Sequence, residues 1–350
     1  MNKNVTLICD LQFGSTGKGL IAGYIAKKEK PDTIITAWGA NAGHTFIDSD
    51  DRRYVHIMVA NGIISPNLKR LLIGPGSMID ADILMSEIGK NFDHLKDIDL
   101  VIHPNASVIL PCHKEREQGP MTKIGSTKKG CGEAIIDKIR RDPKNMTIAK
   151  EALKGTALEK FVCDDTPDYH AHIMKSKNIL IEGSQGYSLG ISSGFYPYTT
   201  SRECTPAQIM SDCGVPLGNL KKVIGTMRTF PIRVANRFND KGEQVGYSGP
   251  CYSDQREISW SDIGIEPELT TVTRLPRRVF TFSTNQTLQA KYHCEPNEVF
   301  LNFCNYLPKV GSEDFYTVDQ LTEIIDECGY GKVKYWGYGP SINDVHEEIQ

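Results

Sequence analysis

The segment Asp10-Leu11-Gln12-Phe13-Gly14-Ser15-Thr16-Gly17-Lys18-Gly19 constrains this chain more than any other. It follows the apolar run Val5-Thr6-Leu7-Ile8-Cys9, which reads as a strand, and precedes a helical run from Leu20 to Lys30. Strand, glycine-rich loop and helix in that order fold as one unit, with bared loop N–H groups and a helix N-terminus gathered at one spot. Such a spot attracts phosphate, and Lys18 adds a cation. Past Asp10 the loop holds no carboxylate: Ser15-Thr16 stands where much phosphate chemistry uses an acid. A second cluster, Asn41-Ala42-Gly43-His44-Thr45, sets a glycine beside a histidine. That pair suits a place where backbone meets a metal or phosphate and an imidazole polarises an oxygen.

Two common nucleotide loops are excluded by spacing. A Walker A loop needs GxxxxGK followed by Ser or Thr, but Gln12 occupies the first glycine position and Gly19 follows the lysine. A dinucleotide fingerprint needs GxGxxG and an acid closing the second strand, and here that strand ends Ala37-Trp38-Gly39.

Short apolar runs alternate with helical patterns along the rest of the chain. Strands are expected at Thr33–Trp38, Tyr54–Ala60, Leu71–Ile73, Leu100–Ile102, Asn178–Ile181, Lys222–Ile224, Val299–Phe303 and Lys332–Trp336. Helices are expected at Ala81–Phe92, Gly132–Arg141, Ala157–Cys163, Thr205–Cys213 and Val318–Cys328. This alternation predicts an α/β fold with a largely parallel central sheet flanked by helices. The Gly/Ser/Asp-rich stretch from Asn236 to Asp254 reads as an excursion within one domain spanning 1–350.

A net charge of −3 argues against a general nucleic-acid or anionic-membrane binder. No apolar run is long enough to span a bilayer, and MNKNVTLICD is no signal peptide. The ten cysteines have no framework spacing and contain no CxxC, which suits reduced thiols in a cytoplasm.

Four further clusters bear on the chemistry. Gly125-Ser126-Thr127-Lys128-Lys129-Gly130 places hydroxyls, cations and glycines ahead of a helix, a second phosphate-compatible loop. Glu182-Gly183-Ser184-Gln185-Gly186 closes a strand, where ligands of open α/β sheets collect. Tyr196-Pro197-Tyr198-Thr199-Thr200-Ser201 alone would be a turn. Thr271-Val272-Thr273-Arg274-Leu275-Pro276-Arg277-Arg278 offers hydroxyls and guanidiniums able to hold a small dicarboxylate.

In this order, these motifs resemble those of the adenylosuccinate synthetases, which join aspartate to the 6-position of a purine nucleotide using a nucleoside triphosphate. The resemblance runs from about residue 5 to residue 340. The family's GDEGKGK corresponds to Gly14–Leu20, and its NAGHT is present unchanged as Asn41–Thr45. IGTTGRGIG looks like Ile124–Gly132, EGAQG like Glu182–Gly186, TYPYVT like Phe195–Thr200, and the terminal GP like Gly339-Pro340. The resemblance implies a P-loop-NTPase-related fold with excursions, Mg²⁺ as cofactor, and a homodimer in which Arg141 reaches the neighbouring site.

The departures carry as much as the matches. Ser15 replaces the family aspartate, which serves as general base at purine N1–H and as a magnesium ligand. Asn302-Phe303-Cys304-Asn305 replaces the guanine-reading TKxD, removing the acid that bonds guanine N–H groups and favouring ATP or dATP over GTP. Leu275 stands where the family usually has a ribose-side arginine. This combination resembles the bacteriophage 2-aminoadenylosuccinate synthetases, a variant class acting on deoxyguanylate. Guanine carries a 2-amino group beside N1, where the smaller serine leaves room and accepts a hydrogen bond.

What the resemblance implies is an ATP-dependent ligase acting on dGMP and L-aspartate through a 6-phosphoryl intermediate. The alternatives are an ordinary synthetase acting on IMP, or an inactive purine-nucleotide-binding protein. Ser15, Lys18 and His44 are the expected catalytic residues. ATP is expected at Ser15, Thr16, Gly17, Lys18, Gly19, Gly43, His44, Thr45, Asn305, Gly339 and Pro340. dGMP is expected at Ser15, Asn41, Ser126, Thr127, Arg141, Gln185 and Thr200. Aspartate is expected at Thr271, Val272, Thr273 and Arg277, and the metal at Ser15 and the Gly43 carbonyl. Serine is a poor base unless activated, so a substrate carboxylate, a metal-bound water or Asp10 stands in for the missing aspartate. The work would be done in the cytoplasm, that of the host if the gene is a phage's.

Overall fold

The computed structural model describes residues 3–270, 274–308 and 315–348. At its centre is a nine-stranded sheet. Its spatial order is Val345–Glu347, Tyr335–Gly337, Glu298–Asn302, Leu220–Arg228, Asn4–Asp10 (β1), Asn178–Glu182, Thr33–Thr36, Arg70–Ile73 and Asp99–Ile102. All neighbours are parallel except the edge strand Val345–Glu347, which runs antiparallel to Tyr335–Gly337. The largely parallel sheet read from the sequence is therefore observed.

Successive residues of β1 serve opposite faces of this sheet. Val5, Leu7 and Cys9 enter one buried cluster with Ile181 and Met227, while Ile8 joins the other with Ile21, Ile25 and Ile34. A strand apolar on both faces must be covered on both, and burying each such side chain contributes about 1.5–3 kcal/mol. The helix Lys18–Glu29 (α1) covers the second face. Its last turn holds Lys27 and Lys28, which complement the carbonyl end of the helix. Its first turn starts from Gly17 in the left-handed region with no side-chain cap, so its leading N–H groups are open to an anion.

Three expected elements differ. The strand expected over Tyr54–Ala60 covers only Arg53–His56. The N–H groups of Ile57, Met58 and Val59 donate instead to the Glu87 carboxylate, at 2.5, 2.8 and 2.8 Å, which removes the need for a neighbouring strand. The helix expected over Ala157–Cys163 is a single turn, Glu159–Phe161, because Cys163 N–H is drawn to the carbonyl of Ile102 at the sheet edge. The helix expected over Val318–Cys328 ends at Ile325 and widens into the turn Asp326–Tyr330, where Gly329 has φ +85°. The excursion after Asn236 holds the strand pair Arg237–Phe238 and Gln244–Gly246. Beside it, Ile232–Arg233, Arg278–Phe280 and Glu257–Ile258 form a small sheet. Among the described residues, no helix is long and apolar enough to cross a membrane.

The carboxyl ends of four adjacent central strands carry Asp10, Glu182, Arg228 and Asn302. In open α/β sheets that edge is where ligands bind.

Candidate active site

The loop after β1 is wound around Asp10. Asp10 Oδ1 accepts from the backbone N–H of Gln12 at 2.9 Å and of Gly14 at 3.2 Å. Its Oδ2 accepts from Thr16 Oγ1 at 2.5 Å and Lys18 Nζ at 2.8 Å. Lys18 Nζ also donates to the carbonyl of Gln185 at 2.7 Å. Both charges are buried, so the pair holds the loop in shape before any phosphate arrives. Four donors thus converge on Asp10, which fixes the course of the loop.

Two glycines of the loop are required by space. A Cβ on Gly17, at φ +94°, would lie 2.0 Å from Asn302 Nδ2, whose amide donates to the Thr16 carbonyl at 3.2 Å. A Cβ on Gly19 would lie 2.5 Å from Asn61 Nδ2 and 3.0 Å from His44 Cβ. The close approach at Gly19 is what brings the Asn41–Thr45 motif against the loop. Ser15 is exposed and left-handed, at φ +57°, with its carbonyl bonded by Arg228 Nη1 at 3.1 Å.

His44 begins the strand His44–Ile47, which pairs antiparallel with Arg53–His56 and is tethered by Ile47 N–H to the carbonyl of Pro340 at 3.1 Å. Its ring packs edge-on to Trp38 with centroids 4.6 Å apart. His44 Nδ1 lies 2.6 Å from Glu182 Oε1. Asn61 donates its backbone N–H to Glu182 Oε2 at 2.8 Å and its side-chain amide to Oε1 at 3.0 Å. Burial pushes the Glu182 carboxyl up, but the hydrogen bond and charge of His44 and the two bonds from Asn61 more than offset it, leaving it below its ordinary value. An ionised Glu182 fixes the proton on Nδ1 and leaves Nε2 for a ligand. Glu182 was legible only as the end of a strand motif, and Asn61 carried no signal at all.

The monophosphate candidates lie on four segments. Asn41 neighbours Cys131, the first residue of the helix Cys131–Arg140, and a Cβ on Gly39 would lie 2.9 Å from Cys131 Sγ. In the preceding loop Ser126 and Thr127 are half-buried, and Arg237 Nη2 donates to the Ser126 carbonyl at 2.6 Å. Glu117 accepts from Gly130 N–H at 2.7 Å and Gly132 N–H at 3.0 Å, so part of that helix start is already satisfied. Gln185 is left-handed at φ +63°, and a Cβ on Gly186 would lie 2.5 Å from Asp10 Oδ1. Thr200 N–H bonds the Leu189 carbonyl at 2.7 Å, fastening the Tyr196–Ser201 turn to the segment after Gly186.

Of the remaining candidates, Gly43 and Thr45 flank His44, and the others lie on separate segments. Arg141 is exposed at the far end of the helix Cys131–Arg140, which at 1.5 Å per residue puts it roughly 15 Å from the loop that starts that helix. Thr271, Val272 and Thr273 lie outside the described residues. Arg277 is half-buried and its N–H bonds the Glu268 carbonyl at 2.8 Å. Asn305 is exposed on the turn Cys304–Tyr306. Gly339 abuts Asp344, since a Cβ there would lie 2.3 Å from Asp344 Oδ2. Gly43 and Thr45 are exposed, and beyond its chain neighbours the nearest atom to a Cβ built on Gly43 is Ile57 Cγ1 at 3.9 Å.

The family model described as adenylosuccinate synthetase matches residues 7–151 and 144–302. The N6-succino-2-amino-2'-deoxyadenylate synthase of Acinetobacter phage SH-Ab 15497 is 50% identical, covering 99% of this chain and 94% of its own. The protein of that name from Salmonella phage PMBT28 is 52% identical over 100% of this chain and 99% of its own. Among solved structures, the succinoaminodeoxyadenylate synthetase of cyanophage S-2L, bound to dGMP and to dATP as an energy donor, superposes with a TM-score of 0.91. It is 41% identical and covers 100% of this chain and 97% of its own. With the family model matching most of the chain and these relatives covered almost throughout, the chain belongs to the adenylosuccinate synthetase family.

Proposed function

We propose that this protein is an ATP- or dATP-dependent ligase. It joins L-aspartate to the 6-position of dGMP, giving N6-succino-2-amino-2'-deoxyadenylate, a nucleoside diphosphate and phosphate. The observation that carries this reading is Ser15, exposed at the site in the loop position where the family keeps an aspartate. The cyanophage enzyme, similar along the whole chain and bound to dGMP and dATP, supports it.

In this reading the 6-oxygen of guanine attacks the γ-phosphate, and the aspartate amine then displaces phosphate from C6. Lys18 and the open N–H groups at the start of α1 stabilise charge on the transferring phosphoryl group. His44, oriented by Glu182, meets the 6-oxygen and that group through Nε2. Asn41, Ser126, Thr127, Gln185 and Thr200 hold the nucleotide monophosphate. Arg141 joins them from the second subunit of a homodimer, a role that suits its exposure and its distance from its own loop. Thr271, Val272, Thr273 and Arg277 hold aspartate. Thr16, Gly17, Gly19, Thr45, Asn305, Gly339 and Pro340 hold the donor nucleotide. Asp10 is engaged and Ser15 is a weak base, which favours a carboxylate of bound aspartate as acceptor of the N1 proton.

Ser15 and Gly43 are exposed residues that offer a hydroxyl and a carbonyl, hard oxygen donors that fit Mg²⁺, a cation usually held by few protein groups together with water and phosphate. Bound there, it would neutralise phosphate charge. The protein works as one unit over residues 1–350, in the cytoplasm where free nucleotides are made. The test is phosphate release with aspartate, each of dGMP, GMP and IMP as acceptor, and each of ATP, dATP and GTP as donor. Fastest turnover with dGMP and an adenine donor is expected. Equal or faster turnover with IMP overturns the acceptor assignment, and preference for GTP overturns the donor assignment.

A further inference from the structure

Arg228 is the last residue of the strand Leu220–Arg228, and its side chain is fully buried. A guanidinium so placed must earn its burial through partners. Here they are unusually dispersed. Nη1 donates to the Ser15 carbonyl at 3.1 Å and lies 3.3 Å from Glu268 Oε2, and Nη2 bonds Glu268 Oε1. The guanidinium plane covers the Phe303 ring at 3.9 Å. The Arg228 backbone is itself fixed, since its N–H donates to Gln12 Oε1 at 2.9 Å and its carbonyl accepts from Gln12 Nε2 at 3.2 Å. Glu268 is held in turn by the Tyr306 hydroxyl at 3.2 Å. Its own carbonyl takes the N–H of Arg277, in the loop read as binding aspartate.

One side chain therefore touches the phosphate loop at Ser15, the segment after Asn302 at Phe303, and the base of the aspartate loop at Glu268. The contact at Ser15 matters most. Ser15 sits at φ +57°, a conformation a non-glycine residue keeps only when its surroundings over-determine it. Its side chain is exposed and provides no such restraint; Asp10 holds the flanking Gly14 and Thr16, and Arg228 bonds the Ser15 carbonyl itself.

We propose that Arg228 is a positioning residue that sets acceptor-base discrimination. By fixing the Ser15 peptide, with Glu268 as its anchor, it places the hydroxyl that reads the purine edge carrying the 2-amino group. This rests on the reading of Ser15 given above. Arg228 touches no reacting atom, so its signature is a change in choice of base and not a mere loss of rate.

The test is Arg228→Lys. Lysine keeps the charge and can pair with Glu268, but its single ammonium lacks the planar fork that also serves the Ser15 carbonyl. kcat/KM is measured for dGMP and for IMP, with ATP and aspartate saturating, alongside the thermal midpoint. The ratio of the two values is expected to shrink towards one by at least tenfold, a change of about 1.4 kcal/mol. Glu268→Gln, which keeps the shape of the anchor and removes its charge, is expected to shift the ratio in the same direction. It also serves where Arg228→Lys fails to fold. A ratio within twofold of the parent's in a folded variant overturns the inference, whatever happens to the rate. The two readings fail separately: a parent that prefers IMP refutes the dGMP assignment, whereas a preference left unmoved by both substitutions refutes the role of Arg228.

Discussion

His44 Nδ1 and Glu182 Oε1, separated by 138 residues of sequence, meet at 2.6 Å. Glu182→Gln keeps an acceptor oxygen but removes the charge behind the imidazole. Turnover is expected to fall by roughly 10²-fold or more, the scale of a misdirected acid–base or electrostatic group, with little change in dGMP affinity. Parallel rate and binding measurements check this, and unchanged turnover would exclude His44–Glu182 as a working pair.

The same pair gives a pH signature in stability. The Glu182 carboxyl lies below its ordinary value in the folded chain, because His44 and Asn61 outweigh its burial. An acid so depressed stabilises the fold at pH above its unfolded value of about 4.3, and that contribution is lost as pH falls through the lower folded value. The gap in thermal midpoint between parent and Glu182→Gln should therefore narrow on acidification below about pH 4.3. A gap independent of pH would show that Glu182 is not ionised in the fold.

Lys18→Met strips the counter-charge from Asp10, whose side chain is fully buried. Leaving one charge of a buried pair alone costs about 3–5 kcal/mol. Denaturant unfolding should register that loss, and the double variant Asp10→Asn with Lys18→Met should recover much of it while staying inactive. Recovery of turnover in the double variant would remove Lys18 from the chemistry.

Gly17→Ala meets two obstacles, the left-handed φ of +94° and Asn302 Nδ2 at 2.0 Å from the new carbon. Strain of this kind costs about 1–3 kcal/mol, and Asn302 must also release the Thr16 carbonyl. Weaker binding of the adenine donor is expected together with lower stability. Gly89→Ala is the contrast: nothing lies within 4 Å of its Cβ in an ordinary helix, and a gain of about 0.5–1 kcal/mol is expected.

Ser15→Asp is expected to slow dGMP turnover roughly 5–150-fold, the equivalent of about 1–3 kcal/mol. Aspartate accepts the left-handed backbone well, so the penalty comes from bulk and charge against the 2-amino group. IMP, which lacks that group, should gain relative to dGMP. Faster dGMP turnover would show that Ser15 does not set specificity.

Much of the site was legible because its central motifs are contiguous. Lys18 between two glycines and His44 beside Gly43 announce themselves within a few residues. Pairings across the fold were not. Glu182 reads as the end of a strand, and nothing local says that its carboxylate meets His44. Arg228 sits in Gly225-Thr226-Met227-Arg228-Thr229-Phe230, where a lone arginine closing a strand reads as a surface residue. The helix Thr284–Cys294 was missed because its sequence has no apolar stripe. It is set instead by the Ser283 cap, which accepts from Gln286 N–H, and by the burial of Gln286, Thr287, Ala290 and Cys294. The sheet itself was easier, since strands buried on both faces leave short continuous apolar runs.

The position of β1 has a consequence for how the chain is made. Its hydrogen-bonding neighbours are Asn178–Glu182 on one side and Leu220–Arg228 on the other. At synthesis rates of about 5–20 residues per second, the strand waits roughly ten to thirty seconds for its first partner and longer for its second. During that interval Val5, Leu7 and Ile8, all with 0% exposure in the finished fold, have no neighbouring strand on the growing polypeptide. The phosphate-compatible loop, although encoded among the first residues, thus gains its second flanking strand only once Arg228 has been made. Shielding of the nascent amino-terminal segment becomes a condition of the protein's yield.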